Sequence, residues 1–263
     1  MKTLVITGGS SGIGLAAVLL FAERGWQVFS LSRHKADLPA EAAVTHIDCD
    51  VTDSVSVSRA VSRVLELAPH IDVVVSNAGF GISGPVEFTS LEDAQRQFDV
   101  NFFGAVRFVQ AVLPALRKQQ SGTIIFTSSV AAQLSVPYQS FYSASKAAVN
   151  ALALALANEV RTFGIHVSCL MPGDVATGFT AARDKSVCGG DVYLRAWQAV
   201  EAMEKDERNG MKPEQMARIL WTIANKRNPA PFYVGGGVYR LLCFLDRLLP
   251  KRFVNWIEWR LYC

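Results

Sequence analysis

Short apolar runs alternate with helix-length segments from one end of this chain to the other, and that alternation limits its fold more than any other feature. Residues 2–6, 26–31, 44–49, 71–76, 122–127, 165–170 and 232–234 are rich in Val, Ile, Leu and Phe and read as strands. Residues 15–21, 53–67, 91–120, 141–163, 193–208 and 213–225 carry helical patterns, with Asp53 placed to cap the second. Apolar strands separated by helices belong to a parallel sheet covered on both faces. The expected class is α/β: a doubly wound parallel sheet of about seven strands, helices on both faces, in a single domain. A chain of 263 residues, 50% of them hydrophobic, suffices for one large core.

The first strand runs into Thr7-Gly8-Gly9-Ser10-Ser11-Gly12-Ile13-Gly14 and then a helix. Strand, glycine turn and helix amino terminus form an anion site, because backbone N–H groups and the helix dipole face a pyrophosphate there. The motif is that of a Rossmann-type fold, but its spacing is Gly-x-x-x-Gly-x-Gly. A plain glycine turn is the alternative for this stretch alone.

In mid-chain, the strand at 122–127 delivers Ser128 and Ser129 to its carboxyl end. Tyr142 follows, and Lys146 lies four residues later at the start of an Ala- and Leu-rich helix. Residues four apart share a helix face, so the lysine can sit beside the phenol ring. A free phenol titrates near about 10, and a neighbouring ammonium favours the phenolate. A serine hydroxyl at the strand end can hold a carbonyl oxygen as charge develops on it. Together these groups suit carbonyl reduction or its reverse, although Tyr-x-x-x-Lys alone reads equally as a solvated helical pair.

With these motifs in order, the chain resembles the short-chain dehydrogenase/reductase family, in the subgroup carrying Thr-Gly-x-x-x-Gly-x-Gly and Tyr-x-x-x-Lys. Asp50-Val51-Thr52, Asn77-Ala78-Gly79, Asn101 in Asn-Phe-Phe-Gly, and Pro172-Gly173-Asp174-Val175-Ala176-Thr177 extend the match, dense over residues 1–177 and looser to 235. The resemblance implies an oxidoreductase on a carbonyl/alcohol pair, with Asn101, Ser129, Tyr142 and Lys146 as catalytic residues. It further implies cofactor contacts from Gly8, Ser10, Ser11, Gly12, Ile13 and Gly14, from Asp50 and Val51 at the adenine, and from Asn77, Ala78 and Gly79. Tyr142, Lys146, Pro172, Gly173, Val175 and Thr177 complete that set around the nicotinamide and its ribose. Asn101 would distort its helix and hold a water linking Lys146 to solvent. Asn77 has an alternative as a turn residue bonding backbone, and both can hold. His166, within a strand, reads as a packed or edge histidine.

The second strand ends at Ser32-Arg33, where enzymes that use NAD usually carry an acid for the ribose 2′-OH. A hydroxyl and a guanidinium suit a 2′-phosphate instead, so NADP(H) is the expected cofactor through Ser32 and Arg33. A solvated Arg33 with loose cofactor choice is the alternative.

A net charge of +3 argues against a nucleic-acid protein. The scattered cysteines (Cys49, Cys169, Cys188, Cys243, Cys263) show no metal spacing and suit free thiols in a reducing cytosol. Met1 runs straight into a strand, which leaves no room for a signal peptide before it and points to a cytoplasmic protein. The resemblance implies a homodimer or homotetramer paired through the helices at 91–120 and 141–163, and a substrate lid at 180–210 with Gly190 or Gly210 as a hinge. Residues 1–237 are expected to form the cofactor-binding domain. The tail, 238–263, is apolar or aromatic at 17 of its 26 positions, and Pro250 divides it into two helical halves. It carries five basic residues against two acidic ones, which leaves the rest of the chain balanced. Two readings stand: packing on its own or a partner subunit while walling a pocket for a lipophilic substrate (steroid-, retinoid- or acyl-like), or a basic amphipathic surface resting on a membrane. The competing functional class is a cofactor-binding sensor without turnover.

Overall fold

A computed structural model of the protein describes residues 1–39, 43–185 and 192–262. Among them a parallel sheet of seven strands forms in the order β3-β2-β1-β4-β5-β6-β7. The strands are β1 (Thr3–Thr7), β2 (Gln27–Ser32), β3 (Val44–Asp48), β4 (Val73–Ser76), β5 (Gly122–Thr127), β6 (Ile165–Met171) and β7 (Phe232–Val234). Strand order reverses between β1 and β4, which opens a crevice beyond their carboxyl ends.

Alternate residues of each strand feed two cores. Leu4, Ile6, Val28, Val73 and Val75 pack under α1 (Gly12–Glu23) and α7 (Pro213–Ala224), where Phe21, Trp26 and Trp221 meet edge to face. Val5, Phe29, Leu31, Val74, Ile124 and Phe126 pack under α2 (Ser54–Leu67), α4 (Gly104–Gln119) and α5 (Ser140–Glu159). Asp53 caps α2, its carboxylate accepting the Val55 N–H at 2.9 Å.

The helical stretch expected at 91–120 is not continuous. It divides into α3 (Leu91–Phe98), a π-helical turn (Asp99–Phe103) and α4, with the widened turn at Asn101. The helix expected from 193 begins later, as α6 (Ala196–Arg208). Gly190, Cys188 and Cys263 lie outside the described residues. Cys49, Cys169 and Cys243 are buried free thiols.

The tail forms α8 (Gly237–Leu248) and α9 (Lys251–Tyr262), which divide at Pro250 as the sequence indicates. Tyr239 anchors α8: its hydroxyl donates to the Asp174 carboxylate, and its ring covers Gly173, where a Cβ would lie 2.1 Å from the ring. Gln133 Nε2 donates to the Cys243 carbonyl at 2.7 Å and to Asp246 Oδ2 at 3.0 Å. Among the described residues, no helix is long and apolar enough to cross a membrane.

Candidate active site

The crevice is a cleft of about 760 Å³, and every residue expected to be catalytic or to contact the cofactor lines it except Gly14 and Asn101. Its floor is the glycine turn. Gly8 and Gly12 take φ of +68° and +53°, a region that favours glycine. A Cβ on Gly14 would lie 2.1 Å from the Gly8 carbonyl oxygen, so Gly14 permits the turn to close without lining the cleft. Ser11 caps α1 without a side-chain bond, and no acid sits in the first turn. The first-turn N–H groups therefore remain available to an anion, and the cradle fits a dinucleotide pyrophosphate.

Asn77 locks the turn to β4. Its amide donates to the Thr7 and Gly8 carbonyls at 3.2 Å each, while Thr7 Oγ1 accepts the N–H groups of Asn77 and Ala78. The turn role and the cleft position hold together. At the end of β2, the buried Ser32 hydroxyl donates to the His34 carbonyl at 2.9 Å and shapes the loop that presents exposed Arg33 to the cleft. Asp50 faces the same end. The Thr52 backbone and hydroxyl bond its carboxylate, and with nearby Arg33 they hold it below the usual carboxylate range.

The chemistry-bearing residues meet at the other end. Ser129 Oγ accepts the Ala131 N–H at 3.1 Å, which fixes the side chain and leaves its O–H to donate. It is hydrogen-bonded to Tyr142. Lys146 is buried, donates from Nζ to the Thr127 carbonyl at 2.9 Å, and lies 5.9 Å from the centroid of the Tyr142 ring. Desolvation pushes the Tyr142 phenol up to about 12, against the Ser129 hydrogen bond, and the Lys146 ammonium down to about 8. The lowering of the phenol expected from Lys146 is not what sets its titration: burial dominates, and the protein groups leave Tyr142 protonated across the ordinary pH range.

Asn101 is buried behind the cleft. Its carboxamide accepts the Phe80 N–H and donates to the Phe80 carbonyl, each at 3.0 Å, and donates to Ser145 Oγ at 3.1 Å. Those bonds use both amide hydrogens and one of the two Oδ1 lone pairs. A Cβ on Gly79 would meet Asn101 Oδ1 at 3.1 Å and Lys146 Nζ at 3.4 Å, so the missing side chain lets both approach.

Several residues of the site were not visible in the sequence. Buried Gln97, one helical turn before Asn101, holds the same loop by accepting the Ile82 N–H at 2.8 Å and donating to the Phe80 carbonyl at 2.5 Å. Phe179 packs its ring 5.7 Å from that of Tyr142, and the buried Arg183 guanidinium lies 5.7 Å from the Phe179 ring centroid. Arg183 pairs with Glu207, and Thr180 Oγ1 donates to Glu207 at 2.6 Å. Asp184 bridges to Gly81 and Ser83 through backbone bonds and pairs with Arg96 at 2.5 Å. These contacts strap residues 179–184 across the cleft. None of the tail's described residues lines this cleft, whose lining runs to Glu207, whereas Asn255, Glu258 and Trp259 border a smaller neighbouring cavity. His166 lies in β6 outside the lining.

Comparison with known proteins matches residues 2–187 to the short chain dehydrogenase family. A 3-ketodihydrosphingosine reductase of Bacteroides thetaiotaomicron is 39% identical over 237 residues, covering 88% of this chain and 86% of the relative. Retinol dehydrogenase 8 of Bos taurus is 30% identical, covering 87% and 79%. Among solved structures, a short-chain dehydrogenase from Streptomyces avermitilis superposes with a TM-score of 0.82 at 28% identity, covering 98% of this chain and 96% of the other. One from Burkholderia phymatum, in complex with NAD, gives 0.82 at 25% identity, covering 93% and 92%. The family match, the identity to curated relatives and the superposition of the whole fold agree, and the chain belongs to the short-chain dehydrogenase family of nucleotide-binding oxidoreductases.

Proposed function

We propose that the protein interconverts a lipophilic carbonyl compound and its alcohol with NADP(H), Tyr142 transferring the proton. The observation that carries this reading is the joint placement of Ser129, Tyr142 and buried Lys146 at one end of a cleft whose other end presents Arg33. Bound at the glycine turn, the reduced nicotinamide supplies the hydride. The Ser129 O–H donates to the substrate oxygen, and Tyr142 gives that oxygen its proton as charge develops. The Lys146 ammonium stabilises the phenolate left behind and holds the nicotinamide ribose. Asn101 is a positioning residue, tying the loop at Phe80 to α5 through Ser145. Pro172, Gly173, Val175 and Thr177 hold the nicotinamide end, where the Val175–Met211 bridge fixes the loop. A cofactor sensor would have no use for the complete proton-transfer set.

Phe80, Val136, Phe179 and Met203 give the substrate end apolar walls, and exposed Asp206 adds a carboxylate to the same cleft. That combination suits a long-chain ketone, including an amino ketone of the kind named for the relative from Bacteroides thetaiotaomicron. The buried free thiols suit a reducing cytosol. Half-exposed Phe103 and Leu154, beside and on the long helices, suit a homodimer or homotetramer paired there.

Tyr142→Phe keeps the ring and removes the proton, so turnover should fall roughly 10²–10⁴-fold while NADPH still binds. In the oxidative direction the phenol must first ionise, so the wild-type rate should climb with pH through the range below about 12. The variant should lose that climb; a variant with wild-type turnover contradicts the assignment. Fluorescence titration should show NADPH binding more tightly than NADH, with Arg33→Ala removing about 10–150-fold of that difference. Equal affinities in the wild type would reject NADP(H) preference. Over a series of ketones, kcat/KM should rise with chain length, each methylene contributing about 0.8 kcal/mol until the cleft is filled. A flat series ends the lipophilic reading.

A further inference from the structure

The orientation of α8 is the reverse of an ordinary surface helix. Val238, Leu241, Leu242, Leu245 and Leu248 recur at spacings of three and four and so form one stripe, yet they are between 36% and 69% exposed. The side turned to the body carries Tyr239, Cys243 and Asp246 instead. Their bonds to Asp174 and Gln133 fix the helix in that orientation, so the stripe cannot rotate inward without breaking them. On α9, Phe253, Trp256 and Trp259 are each about half exposed, and the Arg260 guanidinium lies 5.6 Å and 5.4 Å from the two indole rings. Arg240, Arg247 and Arg252 are exposed beside these faces and form no ion pair among the described residues.

We infer that α8 and α9 form a docking surface for a bilayer containing anionic lipid. The leucine stripe would enter the boundary between headgroups and acyl chains, with the indoles at the interface and the arginines at the lipid phosphates. Charge complementarity favours this occupant over a second copy of the chain. A two-fold contact through the same face would set arginine against arginine, whereas anionic headgroups neutralise them. Among the described residues no helix is long and apolar enough to cross a bilayer, so the contact inferred is one along its surface. The smaller cavity beside α9 is lined by Trp259 and by Val136, and Val136 also lines the active-site cleft. Resting on the lipophilic-substrate reading, that shared residue places the substrate end next to the lipid-facing helix.

The test is co-sedimentation of the full chain with vesicles of phosphatidylcholine alone or with about one-third phosphatidylglycerol. Wild type should bind the anionic vesicles about tenfold or more tightly than the neutral ones, with partial loss at high salt. The exposed pair Leu241→Asn and Leu245→Asn should lose binding about tenfold with an unchanged melting temperature, which separates docking from folding. Arg240→Gln with Arg247→Gln should lose the preference for anionic lipid. Absence of wild-type binding to both vesicle types overturns the inference. So does a wild-type dimer that the leucine pair dissociates without vesicle binding, which would make the face a subunit contact. Neither readout requires a known substrate, so failure of the proposed activity leaves this inference standing.

Discussion

The ammonium of Lys146 sits inside the fold at the carboxyl end of β5, with the Thr127 carbonyl as its hydrogen-bond acceptor at 2.9 Å. A buried cation held by one neutral acceptor is unfavourable unless the surroundings are built for it. Much of the surrounding architecture serves that end. Ser128 Oγ donates to the Lys146 carbonyl and ties α5 to β5, Gly79 leaves room by lacking a side chain, and Asn101 closes the space behind. The π-helical turn is what brings Asn101 to that position.

Burial acts on both members of the pair in the same sense, toward neutrality. It raises the phenol to about 12 and lowers the lysine to about 8. A protonated Tyr142 is the form that the proposed carbonyl reduction requires of its proton donor. In the proposed reverse reaction the phenolate needs positive charge close to it, the role proposed for protonated Lys146. Glu207 and Asp174 work against the phenolate and Arg183 works for it, so the Arg183–Glu207 pair bears on the proton.

What the sequence disclosed was local. The strands are continuous apolar runs, the glycine turn needs positive φ within a few residues, and Tyr142 and Lys146 are one helical turn apart. Pairings between distant segments were not legible. The interruption at Asn101 depends on Phe80, 21 residues away, and the Arg183–Glu207 pair spans 24 residues with no periodicity to announce it. Likewise, composition marked the tail as apolar and basic but could not show which face α8 turns outward. That depends on Gln133 and Asp174, more than a hundred and about sixty-five residues earlier respectively.

The claim that burial sets the protonation of this pair is tested most directly by NMR titration of the protein carrying 13C at the lysine ε-carbons. The Lys146 signal is assigned as the one missing from Lys146→Arg. The account predicts that this lysine titrates near pH 8, apart from the surface lysines at about 10.4. A Lys146 signal that titrates together with the surface lysines would contradict it.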